Sequence, residues 1–171
     1  GMFDAGGRRI KRALVIDQNS IRFLGDQELE RLRRFSLLDD YLSQKEAVLA
    51  EWNGAEAERA CDPVNARRLT NIGTFRAYVS AYMRFNQAIS DKMFMLVRQL
   101  PPSESGLPLE IYAFVATTAW AEYERIQADI FDHLIAILPE FGLRLFQQPS
   151  GLDVSNALHS RTDARDQTFA A

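Results

Sequence analysis

The chain is poor in the residues that carry most covalent and metal chemistry. Cys61 is the only cysteine among 171 residues, which excludes an intrachain disulfide and any site built from several thiolates. A single thiol fits a reducing compartment. Histidines number two, His133 and His159, so few side chains titrate near neutrality. Lysine is scarce as well: Lys11, Lys45 and Lys92 are the only three, and arginine supplies the rest of the positive charge. No apolar run reaches the ~18 residues of a membrane-spanning helix; MFMLV and LIAIL are cut short by Arg98 and Pro139. The cations near the N-terminus have no apolar segment of signal-peptide length behind them, and Asp17 closes the run early. A glycine-rich phosphate loop is missing, because Gly6-Gly7 precede a strand pattern and do not follow one. The net charge of −3 argues against a domain that binds nucleic acid through a broadly basic surface.

What the chain does have is core material. Apolar residues make up 47% and charged residues 25%, the composition of an ordinary globular domain. RIKRALVI (9–16) alternates as a strand, with cations on both faces at its start. That start is therefore expected to protrude from the core. Asp26 is a candidate helix cap, and Leu29, Leu32, Phe35, Leu38, Leu42, Leu49 and Trp52 recur at helical spacing. The pattern predicts one long helix, or two with a bend near Ser43. Asp62-Pro63 marks a turn, and a second helical pattern runs from Leu69 to Phe85. MFMLVRQL and LPLEIYAFVAT flank PPSESG as a hairpin. Trp120 to Ile137 is an amphipathic helix, LRLFQQP (143–149) reads as a last strand, and the polar residues from 150 to 171 are expected to be disordered. With the first two helices merged, the order is βαββαβ. This predicts an α+β, ferredoxin-like sandwich with an additional long helix.

Few constellations suggest chemistry. Asp129 and His133 share a helix face at i,i+4, but no third ligand is in reach, so His133 is expected to be an ion-paired surface residue. His159 is expected to be solvated. Cys61 has no histidine near it in sequence to act as a base. Glu122 and Glu124 lie on different sides of one helix and do not form an acid/base pair. LEIYAFVAT has the look of an RNA-binding aromatic strand, with Tyr112 and Phe114 two apart. Against that reading stand Glu110 on the same face and a first strand without aromatics. Tyr112 and Phe114 are therefore expected to pack under helices, and no nucleic-acid partner is expected.

Several long strings stand in order: GGRRIKRALVID, SIRFL, DPVNARRLTNIGTFRAYVSAYM, LVRQL, GLPLEIYAF and WAEYERIQADIFDHLIAILPEFGLRLFQQPSG. Together they resemble the cytoplasmic C-terminal region of the mechanosensitive ion channel family (the small-conductance, MscS superfamily), and within it the miniconductance, YbdG-type branch. The resemblance implies residues 1–12 as the end of an upstream β domain or a linker and 13–149 as the α/β cytoplasmic domain; it does not extend over the tail at 150–171. It implies a vestibule wall at the cytoplasmic face of a bacterial inner membrane, assembled as a ring of copies (seven in the family). The pore that releases ions and osmolytes on hypoosmotic shock would lie in a missing N-terminal part. It implies no catalytic residues, cofactor or metal. The basic cluster Arg8, Arg9, Lys11 and Arg12 would face the vestibule or a neighbouring domain. The alternative is a stand-alone ferredoxin-like module that binds RNA or a small ligand.

Overall fold

The computed structural model of the chain describes residues 6–168, and side-chain environments as far as residue 160. It is a mixed helix-and-sheet fold. The elements are β1 (Arg8–Ile16), α1 (Asp26–Leu32), α2 (Asp39–Ala55), a single turn α3 (Ala57–Ala60), α4 (Asn71–Phe85), β2 (Leu96–Gln99), β3 (Leu107–Val115), α5 (Trp120–Ile137) and α6 (Gly151–Thr168). The three strands form an antiparallel sheet in the order β1-β3-β2. β1 and β2 therefore run parallel to each other on either side of β3.

The sheet has one covered face. Ile10, Leu14 and Ile16 of β1 join Leu109, Ile111, Ala113 and Val115 of β3 in the core. Ile126, Ile130, Phe131 and Leu134 of α5 and Phe75, Val79 and Met83 of α4 close over them. A second layer is seated on α4. Phe35 packs against Tyr78 and Phe141, with ring centroids 5.9 and 5.8 Å apart. This contact explains why the long helix breaks at residues 33–38 and not near Ser43. Phe35 takes an extended backbone (ψ 104°) to reach the aromatic cluster, which outweighs the helical periodicity around it. Gly25 is the residue before α1, so Asp26 lies inside the helix. Glu28 pairs with Arg22 across the chain.

Two other expectations are corrected at the ends of the chain. Residues 143–149 form no strand. They meet β1 at one bridge, Ile16 to Leu145, with Asp17 N–H donating to Arg144 O at 2.8 Å and Phe146 N–H to Val15 O at 2.8 Å. Pro149 has no N–H with which to extend the ladder. The tail expected to be disordered is helical over Gly151–Thr168. The helix starts on a reciprocal cap: Ser150 N–H donates to Asp153 Oδ2 at 2.8 Å, and Asp153 N–H to Ser150 Oγ at 3.2 Å. The same Ser150 bonds hold the Asp153 carboxyl below its ordinary value. Residues 169–171 lie outside the described residues.

The boundary expected after residue 12 falls inside a continuous strand. β1 pairs with β3 residue for residue from Arg8↔Val115 to Ile16↔Leu107, and Ile10 is fully buried. A glycine sits at each end of this pair. A Cβ on Gly7 would lie 2.5 Å from Val115 O, and one on Gly106 would lie 2.5 Å from Ile16 O. Both positions exclude any side chain, so Gly7 is a tight packing point.

Candidate functional site

Alternation along a strand sends successive side chains to opposite faces. Odd-numbered residues of β3 enter the core, and the even-numbered Glu110, Tyr112 and Phe114 point to the other face. Among the described residues no helix covers that second face: Tyr112 and Phe114 remain half-buried and partly open to solvent. Their expected place beneath helices is thereby corrected. The inward role belongs to Leu109, Ile111 and Ala113, which sequence alternation alone could not rank above two aromatics.

The register sets the neighbours on this bare face. Lys11 and Leu96 flank Tyr112, Arg9 flanks Phe114, and Ala13 and Arg98 flank Glu110. Arg98 bonds Glu110 from Nε and from Nη2, each at 3.0 Å. Glu110 is only 7% exposed, so its charge is met by the guanidinium before it meets solvent. Phe94, just before β2, adds a ring 6.0 Å from that of Tyr112 and is 66% exposed. Tyr112 and Phe114 meet edge to face at 5.6 Å. Lys11, Phe94, Leu96, Arg98, Glu110 and Tyr112 line a depression of about 250 Å³.

The four cations at the N-terminus divide between the two faces. Arg8 and Arg12 turn to the helix side, where Arg8 Nε donates to Thr118 O at 2.8 Å and Arg12 lies 4.2 Å over the ring of Phe131. Arg8 also lies 5.7 Å over the ring of Tyr123. Arg9 and Lys11 turn to the bare face, where Arg9 lies 5.9 Å from the centre of Tyr112. Cation–aromatic contacts of this kind let an arginine stem cover apolar surface while its charge stays near water. Among the described residues Lys11 has no ion-pair partner.

The remaining candidates stay apart from this face and from one another. His133 is not an ion-paired surface residue. Its Nε2 lies 2.7 Å from Tyr78 Oη, and its ring stacks on Tyr82 at 4.3 Å with an interplanar angle of 4°. Burial raises the Tyr78 and Tyr82 phenols above their ordinary value, with the Asp129 carboxylate adding to the effect at Tyr82. Asp129 itself pairs with Arg125 at 3.4 Å. Cys61 is exposed and reaches Glu58 O at 3.0 Å. His159 is exposed on α6 and bonds Ser155 O at 2.7 Å. Glu122 and Glu124 take bonds from Thr117 and Trp120 separately. Among the described residues no group of three potential metal ligands converges, and no helix is long and apolar enough to cross a membrane.

Sequence reasoning missed Phe94, Leu96 and Arg98 as members of the bare face. The signal was present in MFMLVRQL, whose alternation places all three on one side of the strand. A scan of the chain against models of known protein families finds no match.

Proposed function

We propose that the chain is a wall element of the cytoplasmic vestibule of a mechanosensitive channel of the small-conductance type, acting behind a pore carried by another part of the protein. The observation that carries this reading is the ordered series of strings from GGRRIKRALVID to LRLFQQPSG. The fold supports it in one respect: helices insulate one side of the sheet and leave the other for a neighbour or a solvent-filled chamber. Within this reading the arrangement is ferredoxin-like. β3 lies between two mutually parallel strands, and the return beside β1 is reduced to the bridge at Leu145.

The chain's own contribution would be mechanical and electrostatic. Arg9, Lys11 and Arg98 on a chamber wall raise the local concentration of anions and lower that of cations. The ring of copies, the inner-membrane location and the release of osmolytes belong to the same proposal. The experiment begins with the gene: the reading frame upstream must encode a β domain and several apolar stretches of spanning length. The full-length protein should then restore survival of hypoosmotic shock to cells that lack their other channels. A Lys11→Glu/Arg98→Glu form should shift the reversal potential toward cation preference. An upstream frame without spanning segments would remove the proposal.

A further inference from the structure

We propose that the bare face of the β1-β3-β2 sheet binds single-stranded nucleic acid, with bases laid on Phe94, Tyr112 and Phe114 and phosphates drawn to Arg9 and Lys11. This site does not depend on the channel reading. Of the two objections to such a partner, the absence of aromatics from β1 stands, and the one carried by Glu110 falls in the folded chain. The aromatics of β3 are not under helices, and the carboxylate of Glu110 is sequestered by Arg98 at 3.0 Å.

Three observations select this occupant. The first is charge. With Arg98 and Glu110 offsetting each other, the face keeps the charges of Arg9 and Lys11 on a chain whose net charge is −3, so its sign is opposite to that of the molecule. Two copies meeting face to face would set those cations against each other, which disfavours self-pairing. The second is spacing. Tyr112 and Phe114 lie two residues apart on one strand, about 7 Å along the backbone, and their rings meet edge to face at 5.6 Å, so one of the two presents its face to a base at a time. The third is exposure. Phe94 is 66% open to solvent. It stands beside Tyr112, where it can turn to offer its face to a base. The shallow depression between the rings and Lys11 leaves both sides of a strand accessible, as sequence-tolerant stacking sites do.

The test is a titration of the whole chain against a labelled oligouridine of about eight nucleotides, read by fluorescence anisotropy at about 50 and 200 mM salt. Binding should appear at the lower salt and weaken at the higher. Phe94→Ala should weaken it by roughly five- to a hundredfold, the worth of one stacked base. Lys11→Gln should reduce the logarithmic salt slope by about 0.7, the loss of one phosphate contact on a single strand. Both residues are exposed, and unchanged melting temperatures would show that the fold is kept. Phe94→Leu, which keeps bulk and removes the ring, separates stacking from packing if Phe94→Ala unfolds. Free uridine monophosphate should bind far more weakly than the oligomer.

Four results would overturn the proposal. One is the absence of any anisotropy change at low salt. Another is binding that neither variant alters. A third is competition by polyphosphate as effective as by the oligomer, which would leave charge alone. The last is a concentration-dependent dimer broken by Phe94→Ala, which would assign the face to a second copy of the chain.

Discussion

Asn71 is fully buried at the start of α4 and uses both ends of its amide. Its Nδ2 donates to Ser20 O at 2.9 Å, and its Oδ1 accepts from Arg22 N–H at 3.0 Å. One side chain thus ties the segment after β1 to the helix that floors the aromatic cluster. Asn71→Ala strands the buried Ser20 carbonyl, at about 1–3 kcal/mol, and frees the part-buried Arg22 N–H. Urea denaturation of the variant should show a midpoint shift of that order with an unchanged slope. A loss of a few tenths of a kcal/mol would mean that water replaces the amide. Nothing in the sequence marks this residue. Thr70, beside it, caps the helix through its Oγ1, which accepts from Gly73 N–H at 3.1 Å. Asn71 matters through contacts some fifty residues away in sequence, and local pattern does not carry those.

At the scale of elements, helices and strands with a single strong period were legible. α5, α4 and the β2-β3 hairpin stand where alternation or helical spacing predicts them, because each has one apolar face and one partner. Elements whose fate depends on a distant surface were not. The break after α1 follows from Phe35 seeking Tyr78 and Phe141. The last strand fails because β1 offers an aligned edge only near Ile16. The cations of β1 suggested a severed end, whereas Arg8 and Arg12 lie over rings of α5. Half of the candidate face could be read from β3, and the other half waited on the register with β2. A direct consequence concerns truncation. Removing residues 1–12 deletes the first half of the β1 ladder and the buried Ile10, whose side chain alone is worth about 2–5 kcal/mol. The shortened chain should lose its cooperative thermal transition by circular dichroism. A sharp, reversible melt would instead return these residues to a preceding domain.

For the whole molecule, the clearest solution property set by burial lies at high pH. Tyr41, Tyr78, Tyr82 and Tyr123 all have phenols raised above the ordinary value of 10.0, with burial as the largest cause in each. The folded state therefore holds these protons more tightly than the unfolded chain does. Their contribution to stability is complete below pH 10 and is lost as the pH climbs through the raised folded values. Thermal melts across that range should show stability falling above pH 10, less steeply in Tyr82→Phe. Ultraviolet titration should find phenols that ionise late in the native protein and normally in urea. Simultaneous ionisation at the free value in both states would contradict the packing of the aromatic layer.

The glycines that bracket β1 and β3 act as two notches at opposite corners of one ribbon. A slide of the strands by two residues would keep every side chain on its proper face, so hydrophobic burial alone penalises it weakly. The same slide would drive a side chain such as that of Arg9 or Pro108 into a gap only a hydrogen can fill. Alignment is thus enforced at the corners by backbone contact, in addition to the burial of Ile16 and Val115 there. Gly7→Ala would test the ribbon's alignment before it tested the core's strength.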